Sequence, residues 1–268
     1  MYKPHPRFRS EDADIHEDDS FIWRYMDFSK LISLLQRSEL FFTRLGHLAD
    51  TADFYEGALS QLNYDRPEVE SARILELLDP GITQEMREIR QRQFSDPDFL
   101  DQYVQLSRQI IYVNCWHENQ YESAAMWRLY VQANEGIAIR STIGQFKQSL
   151  RSPQGEEYLY RAHYYDPQRE TVILDYWLIP LYKRISFEHE KEVRAFVVNP
   201  HPETVYPTVS KVGVYVPCDL DTLIDRVYVA PSAPDFVFEA VEELLRRFGV
   251  SKPVEHSSLD TPPGRAVK

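Results

Sequence analysis

Cysteine is scarce in this chain. The two present, Cys115 and Cys218, cannot build a disulfide framework or a four-thiolate zinc site. Glycine is scarce as well, and nine residues in 268 argue against a phosphate loop made of glycine backbone. Basic side chains are outnumbered: a formal charge of −12 opposes encounter with bulk duplex DNA or an anionic membrane. A local basic pocket for one nucleotide is compatible with that balance. Apolar runs of membrane-spanning length are missing, and the opening MYKPHPRFRSEDADIHEDDS has no apolar core of the kind a secretory signal needs. A soluble, reduced, cytoplasmic protein is the expectation.

Aromatic residues, by contrast, are abundant. Seventeen tyrosines, fourteen phenylalanines and four tryptophans offer flat surfaces on which a ring can stack. FIWRYM reads as a short strand, with Asp27 placed to cap a helix whose stripe is Phe28, Leu31, Leu34 and Leu35. ELFFTR is a second strand. Residues 67–108 have helical spacing and many charges, which is a solvated helical insertion. IIYVNCW, GIAIRS, YLYRAHYYD, EVRAFVV, VGVYVP and RVYVAP supply further strands, and 233–248 forms an amphipathic helix stopped by Gly249. Strands and helices do not alternate regularly, so a doubly wound parallel sheet is not expected. The pattern predicts one α+β domain over 21–259, a mixed or antiparallel sheet core with flanking helices, between a disordered tail (1–20) and a loose one (260–268).

Several clusters carry chemistry-bearing side chains. In CWHENQYES, His117, Glu118 and Glu122 are metal-ligand types that His163 or His189 would complete, but their spacing fits no helix motif such as HExxH. Asn119, Glu122 and Ser123 serve equally to cap the helix that follows, with HENQY as its turn, and Met126, Trp127 and Tyr130 share one face of it. Cys115 with His117 has nucleophile–base types, against which stands the frequency of inert buried cysteine. Asp50, Asp53 and Glu56 in ADTADFYEG are a loop cluster suited to a cation or to capping. In FEHEKEVRAFV, a strand would project Glu188, Glu190 and Glu192 on one side, where three like charges need partners such as Arg184 or Arg194. A carboxylate pair held there could stabilise a developing cation or orient a nucleophile. Arg24 suits a phosphate or carboxylate and Tyr25 a flat ring. Alternation along the strand turns the two to opposite faces.

WRYMDFSKLISLLQRSELFFTRLGHLAD, the DFYEG loop, CWHENQYESAAMWRLY, GIAIRST, KRISFEHEKEVRAF and VYVAPSAPDF…PVEHSSL together resemble a bacterial family of domains of unknown function, number two-nine-seven-one. The resemblance covers about 21–259 and implies no activity. The order of elements is also similar to that of the ADP-ribosyltransferase superfamily. That resemblance implies an NAD-utilising transferase or NAD hydrolase, of the sort found in bacterial defence or toxin systems, with NAD as co-substrate and an unidentified macromolecular acceptor. Arg24 and Tyr25 would then hold the ribose or phosphates. Cys115-Trp116-His117, or Ser141-Thr142, would line the nicotinamide pocket, with Trp116 and Ser141 the contacts. Glu192 would bond the ribose hydroxyl and Glu190 orient the acceptor. The first motif departs from that superfamily's His-Tyr-Thr form. Two alternatives stand beside this reading: a metal-dependent phosphodiester hydrolase, and a non-catalytic binding module. The transferase reading requires Arg24 or Tyr25, Trp116 and Glu192 around one pocket. The binding module requires Glu192 buried against Arg184 or Arg194 with no cleft beside it.

Overall fold

A computed structural model describes residues 18–48, 88, 96–131, 135–151, 158–166, 168–169, 179–231 and 233–260. The acidic loop with Asp50, Asp53 and Glu56, most of the 67–108 insertion, and the outer parts of both tails lie outside them. Residues 18–20, assigned above to the tail, do take part in the fold: the Asp18 and Ser20 carbonyls accept from Gly144 and Ile143.

β1 (Phe21–Asp27) leads into α1 (Phe28–Arg37), which buries Leu31, Leu34 and Leu35 as the spacing required. The Asp27 side chain makes no capping hydrogen bond; it pairs with Lys30 at 3.0 Å instead. β2 (Glu39–Arg44) follows, and the end of the charged segment is α2 (Pro97–Ile110), with proline in its first turn and Asp96 accepting from Asp98 N–H. β3 (Ile111–Glu118) runs two residues beyond the predicted strand, so His117 and Glu118 belong to the ladder rather than to the turn.

α3 (Ala124–Tyr130) is capped by Ser123, as expected, and α4 (Ile143–Ser149) by a reciprocal Thr142–Gln145 box after β4 (Gly136–Thr142). The remaining strands are β5 (Tyr158–Arg161), β6 (His163–Tyr165), β7 (Tyr182–Arg184), β8 (Glu192–Val198), β9 (Val209–Ser210), β10 (Gly213–Pro217), β11 (Arg226–Val229) and β12 (Val254–His256). Short α5 (Leu220–Leu223) precedes β11. α6 (Asp235–Arg247) falls within the predicted 233–248, and Gly249 takes the left-handed φ of 72° that ends it.

Ten of these strands form one mixed, mostly antiparallel sheet with helices against it, an α+β fold. Its main path runs β12-β11-β4-β1-β3-β2-β10-β9, with β8 and β5 continuing from the other edge of β3. Side chains of β3 alternate as period-two geometry dictates. Tyr112 and Trp116 enter the main core beneath α1, while Ile111 and Val113 enter a second core with Tyr160 and Phe196.

One detail of pairing shapes everything that follows. β8 covers one edge of β3 along its whole length, from Ile111↔Val198 to His117↔Glu192. The opposite edge is shared: Tyr112 and Val113 pair with β2, whereas His117 and Glu118 pair with β1. Between them, residues 114–116 have no strand partner on that side among the described residues. β1 leaves toward β4, β2 leaves toward β10, and the sheet splits into a slot.

Candidate functional site: a slot where the sheet divides

An unpaired strand edge inside a protein must find other hydrogen-bond partners. Side chains supply them here. Asn114 Nδ2 donates to the Phe41 carbonyl at 2.8 Å, Trp116 Nε1 donates to Asn114 Oδ1 at 2.6 Å, and Arg24 Nη1 donates to the Cys115 carbonyl at 3.0 Å. The split therefore stays open as a cavity of about 480 Å³, within the size range of small-molecule pockets. Arg24, Tyr25, Trp116 and Glu192 all line it, along with Lys30 and Ser33 from α1 and Tyr130 from α3.

Arg24 is enclosed by protein yet reached by solvent through the slot. Its guanidinium lies 5.9 Å from the centre of the Trp116 ring, and no carboxylate among the described residues pairs with it. Burial lowers its pKa, against the weaker influence of Cys115 and Tyr130. A buried cation with one carbonyl partner and one aromatic face is incompletely compensated. Tyr25 points to the other side of β1, as alternation predicts. It accepts from the Ser123 N–H at 2.8 Å and meets Trp127 edge-on at 5.0 Å. Trp116 is 2 % exposed and packs edge-on against Phe146, so it forms wall rather than platform.

The carboxylates are arranged differently from the expectation. Residues 185–190 form a 3-10 turn rather than a strand, and Lys191 adopts a left-handed φ of 41° before β8 begins. That reversal leaves Glu188 exposed and turns both Glu190 and Glu192 inward to the same lysine. Lys183 Nζ is 3.0 Å from Glu190 and 3.3 Å from Glu192, and Arg194 Nε is 2.5 Å from Glu192. Tyr130 donates its hydroxyl proton to Glu190 at 2.7 Å, and Tyr164 accepts from the Glu192 N–H at 2.8 Å.

Two acids and two bases thus neutralise each other below the slot. Burial pushes the Glu192 carboxyl up, but Arg194 and Lys183 outweigh it and hold the group below the ordinary range. Burial, and then the Glu192 charge, push the Cys115 thiol up to about 12, so it is no thiolate nucleophile.

The structure thus brings Arg24, Tyr25, Trp116 and Glu192 to one cavity and leaves two predicted residues out. Ser141 is fully buried in β4 opposite Ile22 and donates to the adjacent Thr142 carbonyl; it borders no part of the slot. Glu190 stands behind the wall, engaged by Lys183 and Tyr130, and lacks the free approach that orienting an acceptor demands. The set His117, Glu118 and Glu122 disperses. Glu118 is gripped by Arg161 at 2.6 and 2.7 Å, and Glu122 holds Trp127 and the C-terminal Ser257 and Ser258.

Lys183 and Tyr130 were missed as members of the site, whereas His117, offered with Cys115 and Trp116 as pocket lining, does line the slot. For Lys183 a signal existed, a lone lysine after the apolar run WLIPLY. Beyond Trp23 lies a second, more open depression of about 580 Å³, where Arg140 is tied to Asp225 at 2.7 Å. No protein-family model, no curated protein and no solved structure matches the chain.

Proposed function

We propose that the slot binds a dinucleotide and that the protein is an NAD-utilising transferase or NAD hydrolase of the ADP-ribosyltransferase type. The observation that carries this reading is Arg24: a half-buried residue whose guanidinium pairs with no carboxylate among the described residues, lining a cavity that aromatic residues and a carboxylate also line. An anion such as a pyrophosphate supplies the missing charge. Glu192 keeps lone pairs beyond those used by Arg194 and Lys183, enough to accept from a ribose hydroxyl. A carboxylate beside the sugar favours the positive charge that develops as nicotinamide leaves. Its two cations weaken that field, which is the specific observation favouring a second reading, a binding module that holds the dinucleotide without consuming it.

Chromatography of NAD incubated with the purified protein separates the outcomes. Nicotinamide release that disappears in Arg24→Gln supports the enzyme. Saturable binding without turnover supports the module. Absence of both removes the dinucleotide reading.

A further inference from the structure

His117 sits in the part of β3 that is paired on both edges, opposite Glu192 on one side and Trp23 on the other. It is 3 % exposed and belongs to the slot wall. Its Nδ1 lies 2.5 Å from the Glu190 carbonyl oxygen, which can only accept. Nδ1 therefore carries the proton, and in the neutral ring Nε2 presents a lone pair on the opposite flank. That nitrogen is buried and has no hydrogen-bond partner among the described residues.

The neighbouring donors are directed elsewhere. Tyr130 gives its proton to Glu190, Lys183 faces the two carboxylates, and Arg194 serves Glu192 and the Pro180 and Tyr182 carbonyls. A buried acceptor left empty is destabilising, so a lone one on a residue that lines a cavity points to a partner that the described residues do not supply, for which a bound ligand is the candidate. Met126 shares this wall, and its unbranched side chain can change rotamer to admit one.

We infer that His117 Nε2 is a specificity determinant of the slot, accepting a hydrogen bond from an N–H or O–H of the bound ligand. The inference rests on the dinucleotide reading: NAD offers such donors in its carboxamide and its ribose hydroxyls. A ligand that presents only acceptors at this point is rejected, since acceptor would face acceptor.

The state of His117 follows from its surroundings. Burial lowers its pKa below the ordinary value of about 6.5, and Lys191 adds to that; the Glu190 carbonyl and the Glu190 and Glu192 charges act against them. Other titratable groups of this part of the slot are Arg24 and Arg194, the hydroxyls of Tyr25 and Tyr130, whose pKa burial raises, and the neutral Cys115 thiol, while Lys183 is engaged by Glu190 and Glu192. The ring is neutral at pH 7.5. As pH falls through the lowered pKa, Nε2 gains a proton and ceases to accept, and affinity for a donor falls.

Nitrogen-15 NMR of histidine-labelled full-length protein tests the free state, and calorimetric titration with NAD tests the bound one. The expected results are a protonated Nδ1 and bare Nε2 at pH 7.5, with the Nε2 resonance shifting when NAD is added. His117→Phe should bind NAD about 3- to 10-fold more weakly, the worth of one neutral hydrogen bond, and should lose the acid-side fall in affinity. A free protein with the proton on Nε2 overturns the inference without any variant having to fold. So does a folded His117→Phe with wild-type affinity; if Arg24→Gln is weakened in the same titrations, the dinucleotide reading survives that failure. Wild-type protein that binds no NAD overturns both.

Discussion

Arg24→Gln separates a residue that waits for a ligand from one that supports the fold. Holding a guanidinium away from bulk water costs several kcal/mol even after local relaxation. Set against this are one charge-assisted hydrogen bond to the Cys115 carbonyl, about 1.5–3 kcal/mol, and the Trp116 ring, about 0.5–2 kcal/mol. The opposing terms are of similar size, so the substitution should move the unfolding free energy by less than about 1 kcal/mol in either direction. Affinity for NAD should respond much more strongly. Loss of one charge-assisted bond to a phosphate costs about 1.5–3 kcal/mol, about a 10- to 150-fold rise in Kd. Urea unfolding by linear extrapolation reads the first quantity and calorimetry the second. A variant destabilised by 3 kcal/mol or so would show the guanidinium to be a strut. A stable variant that binds NAD like wild type would refute its role as the anion's partner.

Two further substitutions compare an ion pair in the cluster beneath the slot with one outside it. Glu192→Gln breaks a buried ion pair and should cost about 3 kcal/mol, the low end for such pairs, because Lys183 retains Glu190 and Arg194 retains two carbonyls. Glu118→Gln, at the more exposed Arg161 pair, should cost about 1 kcal/mol or less, so equal urea midpoints for the two variants would contradict this ranking. The sign of the pH effect follows. The depressed Glu192 pKa contributes stability fully present above the unfolded value of about 4.3 and lost as pH falls through the folded one, and the variant should lack that acid-side decline. Cys115, half-buried with its thiol pushed up to about 12, should react slowly with a thiol reagent at pH 8 in native protein and at once in urea; rapid native labelling would contradict the raised thiol pKa.

The 3.6-residue stripe of α1, the period-two strands, the Ser123 cap and the Gly249 stop were legible because each depends on neighbours within a turn or two. The opposite facing of Arg24 and Tyr25 was legible for the same reason. The EHEKE segment was misread because alternation alone cannot reveal a left-handed Lys191; a 3-10 turn and that backbone angle replace a row of three acids on one strand face with one exposed and two buried. Ser141 was misplaced because its partner strand, not its own sequence, determines whether it meets a cavity or the core.

What the sequence by itself determined is the class of the fold, its local elements, and the residue types available for binding an anion and a ring. What only the tertiary structure decided is where they meet. β3 shares one edge between two departing strands, and that pairing links residues from 24 to 194 in a single slot. It also decided which groups are compensated and which are not: Glu192 found Arg194 and Lys183, while among the described residues Arg24 has only the Cys115 carbonyl and the Trp116 ring, and His117 Nε2 has no hydrogen-bond partner. Compensation of a charge depends on distances of a few ångströms between elements far apart in the chain, and no pattern along the chain encodes those distances.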